Sequence, residues 1–225
     1  MAPDETKPFA RGLYAILDLA SLGPRDPHEV AVALLGGGAV ALQLRAKGQT
    51  DALDPLGRLA LAIDLRRLAR SRGVPFFVND DLDLALASEA DGVHLGQGDL
   101  HPGLARSRLS KRQRIGLSTH NLGQARAALS LPVDYLGFGP VFPTGTKANP
   151  DPAQGLAALH EVCRSVALPV VAIGGLTTTA AGEVARAGAH AAAAIGAILG
   201  AQDPGTEARR FHEAFQRAAP GIAAP

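Results

Sequence analysis

The chain has a single cysteine, no tryptophan and few aromatic residues in 225 positions. One thiol, Cys163, excludes an intrachain disulfide and a Cys-x-x-Cys metal or redox site. It falls in an amphipathic helical run, Leu156 to Val166, and reads as a packing residue. With aromatics at 4%, Ala, Leu, Val and Gly must fill the core, which suits layered strands with helices packed close against them. The net charge is +1, so no general field draws the chain to nucleic acid or to an anionic membrane, and any anion site must be local. No apolar run reaches spanning length: Ala187 to Ala201 is too short, rich in Ala and Gly, and broken by His190. Met1 to Arg11 is polar and lacks the apolar core of a secretory signal. A soluble, cytoplasmic protein is expected, with no nucleic acid and no membrane among its partners. His28, His101, His160, His190 and His212 show no ligand spacing, so zinc has no ligand set.

What is present is repetition. Short runs rich in Val, Ile and Leu, flanked by Gly or Pro, alternate with helix-length segments. The runs predict strands at about Leu13–Asp18, Ala39–Arg45, Pro75–Asn79, Gly92–Leu95, Arg114–Ser118, Tyr135–Gly139, Pro169–Ile173 and His190–Ile195. Between the second and third, Asp51 to Ser71 predicts a helix whose apolar stripe is Leu53, Leu56, Leu59, Ala60, Ile63 and Leu68. Strands alternating with helices pair in parallel through right-handed crossovers. Eight such units close a (β/α)8 TIM barrel, and a chain of this length forms it as one domain, residues 1–225 with a core at about 13–218. An open doubly wound sheet would want a glycine fingerprint after the first strand, and Asp18-Leu19-Ala20-Ser21 offers none.

In such a barrel the segments after the strands share one face, where active sites sit. Reactive residues collect there. Gln43, Arg45 and Lys47 alternate with Leu42 and Leu44, so they project to one side; an amide, a guanidinium and an ammonium together suit a multiply charged phosphate. Asp80 and Asp99 follow adjacent strands, and hard carboxylate oxygens completed by water and phosphate are how Mg²⁺ is held. An apolar helix follows at once, so one of Asp80 and Asp81 is expected to cap it. Thr144, Thr146 and Lys147 surround Gly145 after the sixth strand and resemble a second phosphate contact. Gly174 and Gly175 permit close backbone approach, and Gly196 opens a short helix after the eighth strand. His94 lies in a strand and is expected to line the pocket, while His120 suits a helix start as well as a site. Residues 145–154, with two prolines and a glycine, read as an exposed loop that could close over the face.

Taken in order, Gln43-Leu44-Arg45-Ala46-Lys47, Asn79-Asp80, His94-Leu95-Gly96-Gln97-Gly98-Asp99, Gly116-Leu117-Ser118-Thr119-His120, Gly137-Phe138-Gly139-Pro140 through Thr144-Gly145-Thr146-Lys147, and Ile173-Gly174-Gly175 resemble the thiamine-phosphate synthase family. The resemblance covers about Leu13 to Phe215. It implies a Mg²⁺-dependent transferase that joins a hydroxymethylpyrimidine diphosphate to a thiazole phosphate, both small molecules. It further implies that Gln43, Arg45, Lys47, Asn79 and Lys147 hold the diphosphate, with Asp80 and Asp99 on the magnesium. Ser118, Thr144, Thr146, Gly174 or Gly175, and the turn at Gly196 would take the thiazole phosphate, and His94 would lie near the pyrimidine. Two positions depart from the family: Ala46 stands where Glu is frequent, and Gly196 where Ser or Thr is common. The family's dissociative displacement asks for no side-chain nucleophile, and none is recognisable here. The alternatives are a related thiazole tautomerase, which uses His for proton transfer and typically lacks the Asn-Asp and Gly-Gln-x-Asp stretches, and a non-catalytic regulatory barrel. Barrels of this kind often associate as homo-oligomers, but no segment marks an interface.

Overall fold

A computed structural model describes residues 8–47, 53–145 and 151–219. Among them, eight strands run in order: β1 (Gly12–Asp18), β2 (Ala41–Arg45), β3 (Phe76–Asn79) and β4 (Gly92–Leu95). They continue as β5 (Arg114–Thr119), β6 (Tyr135–Phe138), β7 (Val170–Ile173) and β8 (Ala191–Ala193). Each pairs in parallel with the next, and β8 returns to β1, so the sheet closes on itself as a TIM-type barrel. The described helices are α1 (Pro27–Gly36), α2 (Pro55–Ser71), α3 (Leu82–Ala87), α4 (Pro102–Arg108), α5 (Leu122–Ala127) and α6 (Gly155–Ser165). After them come α7 (Thr178–Arg186), α8 (Gly196–Leu199) and α9 (Pro204–Ala218). Every predicted strand is found, with ends shifted by at most a few residues.

Helix starts are written locally. Asp26, Asp54, Asp81, Asn121, Thr177 and Asp203 each accept a hydrogen bond from a first-turn N–H of the helix that follows. Proline pre-sets the first turns of α1, α2, α4 and α9. The apolar stripe expected for α2 is not the face it buries. The helix turns Ala62, Leu65 and Ala69 inward, while Leu56 stays 76% exposed. Small residues let a helix approach a sheet closely, so the packing face follows the alanines and not the bulkiest side chains.

Strand alternation divides the apolar residues into two cores. Outward-facing Leu42, Leu44, Phe76, Val78, Val93 and Leu117 pack under the helices. Inward-facing Tyr14, Phe77, Tyr135, Val171, Ala191 and Ala193 fill the barrel itself, together with Phe9 from the segment that precedes β1. Phe9 sets its ring edge-on to Tyr14 (5.3 Å), Phe77 (6.0 Å) and Tyr135 (5.1 Å). Its carbonyl accepts a hydrogen bond from His190 Nε2 at 2.9 Å. Among the described residues the N-terminal mouth of the barrel is thus plugged by aromatic packing.

Candidate active site

A cavity of about 650 Å³ lies at the C-terminal ends of the strands. Gln43, Arg45, Lys47, Asn79, Asp80, His94, Asp99, Ser118, Thr144, Gly174, Gly175 and Gly196 all line it. Residues that stand up to 153 positions apart are gathered here because they lie within, end or follow the strands β2 to β8. Thr146 and Lys147 fall outside the described residues.

One side of the rim is charged. Arg45 Nη1 lies 2.7 Å from Asp18 Oδ1, and Asp18 is only 2% exposed. Ser21 Oγ donates to the other oxygen of Asp18 at 2.7 Å. The register places Asp18 directly beside Arg45, so the guanidinium is held from behind by a carboxylate on the neighbouring strand. Such a forked, anchored cation presents its remaining N–H groups in a fixed direction. Lys47 is paired with Asp80. The sequence left open which of two aspartates caps α3. It is Asp81, whose carboxylate accepts from Leu84 N at 2.9 Å. Asp80 instead sits at φ 63°, a left-handed conformation that costs a non-glycine residue about 1 kcal/mol, with its own N–H given to the carbonyl of His94 at 2.8 Å. That turn sends its side chain into the cavity.

The two aspartates are near enough to share a proton, and they are electrically unlike. Burial, reinforced by Asp99 and opposed by Lys47, raises the Asp80 carboxyl to about 6. Asp99 feels some burial too, but hydrogen bonds from Asp80 and from the Gly96 N–H hold it below the ordinary carboxylate range; Gly96 N donates to Asp99 Oδ2 at 2.6 Å. Asp80 Oδ2 is enclosed and receives no well-directed hydrogen bond; Lys47 Nζ lies against it as an ion pair. An enclosed carboxylate oxygen without a proper donor, beside a second carboxylate, is a site short of positive charge. The donor set is all oxygen, which fits Mg²⁺ with its remaining positions taken by water and phosphate. Among the described residues no cluster of three His, Cys, Asp or Glu offers a fuller cage.

Deeper in the barrel the polar groups are linked in a chain. Gln43 Nε2 donates to the Tyr14 hydroxyl at 3.0 Å, and the Tyr14 and Tyr135 hydroxyls are 2.8 Å apart. Tyr135 reaches His94 Nδ1 at 3.1 Å, and His94 Nε2 reaches Ser118 Oγ at 3.0 Å. Ser118, expected with the thiazole phosphate, is therefore bonded to the residue expected at the pyrimidine. The opposite rim is built from backbone. Gly174 and Gly175 adopt φ 96° and 65°. A Cβ at Gly174 would stand 2.5 Å from Pro140, and one at Gly175 2.4 Å from the Pro143 carbonyl. The loop after β6 is stitched to this turn by Val141 N to Ile173 O (2.9 Å) and Phe142 N to Gly174 O (3.0 Å). His120, placed both ways by sequence, lines the cavity and donates from Nδ1 to the Gly139 carbonyl at 2.6 Å, while Asn121 caps α5.

Asp18, Tyr14 and Tyr135 were not singled out by sequence. The signal was strand parity: Tyr14, Ile16 and Asp18 share one face of β1, and Asp18 ends it as Arg45 ends β2.

The chain matches the family model described as thiamine monophosphate synthase over residues 13–198. It is 47% identical to a thiamine-phosphate synthase of Anaeromyxobacter dehalogenans, over 93% of this chain and 91% of that one. It is 39% identical to that of Bacillus velezensis, over 88% of each. Among solved structures, a thiamine phosphate pyrophosphorylase from Pyrococcus furiosus superposes with a TM-score of 0.83 at 33% identity, covering 96% of this chain and 99% of that one.

Proposed function

The chain belongs to the thiamine monophosphate synthase family, and from that premise we propose how its own residues carry out the transfer. The enzyme is a thiamine-phosphate synthase, a transferase: the C–O bond between a pyrimidine methylene and diphosphate breaks, diphosphate leaves with the electron pair, and the thiazole nitrogen supplies the pair for the new C–N bond. The observation that carries the site assignment is the convergence of Arg45, Lys47, Asp80 and Asp99 on one cavity. Arg45, Lys47 and Asn79 bind the diphosphate, with Lys147 and Gln43 proposed beside them. A preorganised cationic rim stabilises charge as it develops on the leaving group, with no reorganisation at the moment of reaction.

Asp80 and Asp99 would hold Mg²⁺, whose chemistry when bound is charge neutralisation on the diphosphate oxygens. His94 and Ser118, joined by their hydrogen bond, form the pyrimidine end of the cavity. Thr144, Gly174, Gly175 and Gly196 take the thiazole phosphate, with Thr146, outside the described residues, proposed beside them; the close backbone approach at Gly174 and Gly175 supports this placing, and Gly196 can contribute only its N–H. The segment 145–154, of which 146–150 lie outside the described residues, is proposed to shield the electron-poor methylene from water. Its far end is already fastened, with Gln154 N bonded to the Pro140 carbonyl at 2.8 Å and Asp151 3.6 Å from His120. No helix among the described residues is long and apolar enough to cross a membrane, and we place the enzyme in the cytoplasm, where association into a homo-oligomer is a further expectation.

The test is direct. Purified protein mixed with both substrates should release diphosphate only when both substrates and Mg²⁺ are present. Release from the pyrimidine alone, or full activity with chelator, would overturn the assignment.

A further inference from the structure

The hydrogen-bond chain under the cavity has a direction, and the direction follows from counting protons. Gln43 Nε2 can only donate, so the Tyr14 oxygen accepts. Tyr14 is fully buried and has one proton; the Tyr135 oxygen at 2.8 Å is the acceptor within its reach. If Tyr135 donated to Tyr14 instead, the Tyr14 proton would be left buried without an acceptor. Tyr135 must therefore give its own proton to His94 Nδ1, at 3.1 Å. A neutral imidazole that accepts at Nδ1 carries its proton on Nε2 and donates it to Ser118 Oγ, 3.0 Å away. Among the described residues, Ser118 Oγ has no second hydrogen-bond partner, and Ser118 lines the cavity. Its hydroxyl proton is left for whatever binds there.

Space has been cleared for this relay. A Cβ on Gly116 would lie 2.2 Å from the Tyr135 ring, 2.4 Å from His94 Nδ1 and 2.5 Å from the Tyr135 hydroxyl. A Cβ on Gly137 would lie 3.0 Å from His94 Cε1. Glycine on β5 thus keeps clear the contact between the tyrosine and the histidine, and glycine on β6 leaves room beside the imidazole's Cε1 and Nε2. The tyrosines keep their protons across the physiological range, because burial raises both phenols.

We infer that Tyr135 is a positioning residue: with Tyr14 it fixes His94 as the Nε2–H tautomer and thereby turns the Ser118 hydroxyl into a donor aimed at an acceptor atom of the ligand. On the reading of the site given above, that atom belongs to the pyrimidine, whose ring nitrogens are acceptors. The relay itself is a property of the free protein and does not depend on that reading.

The measurement is the long-range ¹H–¹⁵N correlation spectrum of the His94 ring in ¹⁵N-histidine-labelled protein without ligand, assigned by its loss in His94→Gln. Wild type should show Nε2 protonated and Nδ1 as a hydrogen-bonded acceptor. In Tyr135→Phe, Nε2 should stay protonated and the Nδ1 resonance should move to that of an unbonded acceptor. A wild-type ring protonated at Nδ1 overturns the inference, and so does an Nδ1 resonance unmoved in Tyr135→Phe. The wild-type spectrum decides the direction even if the variant fails to fold. In the enzyme assay, Tyr135→Phe should raise KM for the pyrimidine diphosphate by roughly 3- to 10-fold, the span of one ordinary hydrogen bond, with KM for the thiazole phosphate unchanged. An equal loss toward both substrates would mean a merely structural tyrosine. A correct spectrum in a protein without synthase activity would leave the relay standing and remove the reaction.

Discussion

The rim and the floor of this cavity solve opposite problems. At the rim, Arg45, Lys47, Asp80 and Asp99 are charged and partly open to solvent, each held by one or two neighbours. On the floor, Tyr14, Tyr135, His94 and Gln43 form an uncharged chain over an aromatic plug. Charge at the rim gives strength where a polyanion must be held and released, at the cost of like-charge strain between the two aspartates. A neutral network on the floor gives direction without that strain, and it works only while every member stays bonded. Variants should separate along the same line, with the rim costing turnover and the floor costing stability.

The largest effect belongs to the rim. Asp99→Ala should lower turnover by about 10³ or more, because it removes one of the two carboxylates proposed to hold Mg²⁺ against the leaving group. The thermal midpoint should stay within a few degrees, since Asp99 is exposed and its backbone partner, Gly96 N, can turn to water. A variant with full activity would place the metal elsewhere. On the floor, Phe9→Ala should do the reverse. It opens the plugged end of the barrel and should cost about 3–5 kcal/mol in denaturant unfolding. If stability is unchanged, the plug is not part of the folded core.

These two regions were unequally visible in the sequence, and the reason is physical. Rim residues are polar types at strand exits, where a charged side chain has no packing explanation, so Arg45, Lys47, Asp80 and Asp99 stood out. The strands were equally visible, because a run such as Val170–Ile173 has few other uses. The floor was not. Tyr14 and Tyr135 sit inside apolar runs, where an aromatic ring reads as core, and half of each side chain is core. Their hydroxyls become informative only once the register sets β1 beside β2 and β6 beside β5. Asp18 entered only as the end of a strand without a glycine fingerprint, yet it anchors Arg45. The stripe on α2 failed for a related reason: large side chains mark hydrophobicity, whereas the buried face is set by how closely the helix can approach.

A smaller effect tests the strain at the rim, and its sign runs against intuition. Asp80 titrates at about 6 in the folded protein, against an ordinary carboxylate near 4. A raised carboxyl contributes stability that is fully present below the unfolded value and is lost as pH rises through the folded one. Wild type should therefore lose stability between about pH 4 and 6, and Asp80→Asn, which does not titrate there, should not. In chelator-treated protein above that window the variant should be the more stable, by at most about 2 kcal/mol because partial exposure screens the carboxylate, while its turnover falls. Denaturant unfolding at both ends of the window checks this. A variant less stable than wild type at high pH would show that the Lys47 pairing outweighs burial and the second carboxylate.

The smallest effect is the sharpest control on the division. Tyr14→Phe keeps the ring in the aromatic plug and removes one hydroxyl that both accepts from Gln43 and donates to Tyr135. Gln43 lines the cavity and can turn its amide to water there, so the cost should be about 1 kcal/mol. Because burial raises the Tyr14 phenol far from neutrality, that cost should be the same at every pH from about 5 to 8. The rim variant changes its stability difference across this range and the floor variant does not. If the Tyr14→Phe difference varied with pH as the Asp80→Asn difference does, the two regions would be one coupled network, and the separation of charged rim from neutral floor would fail.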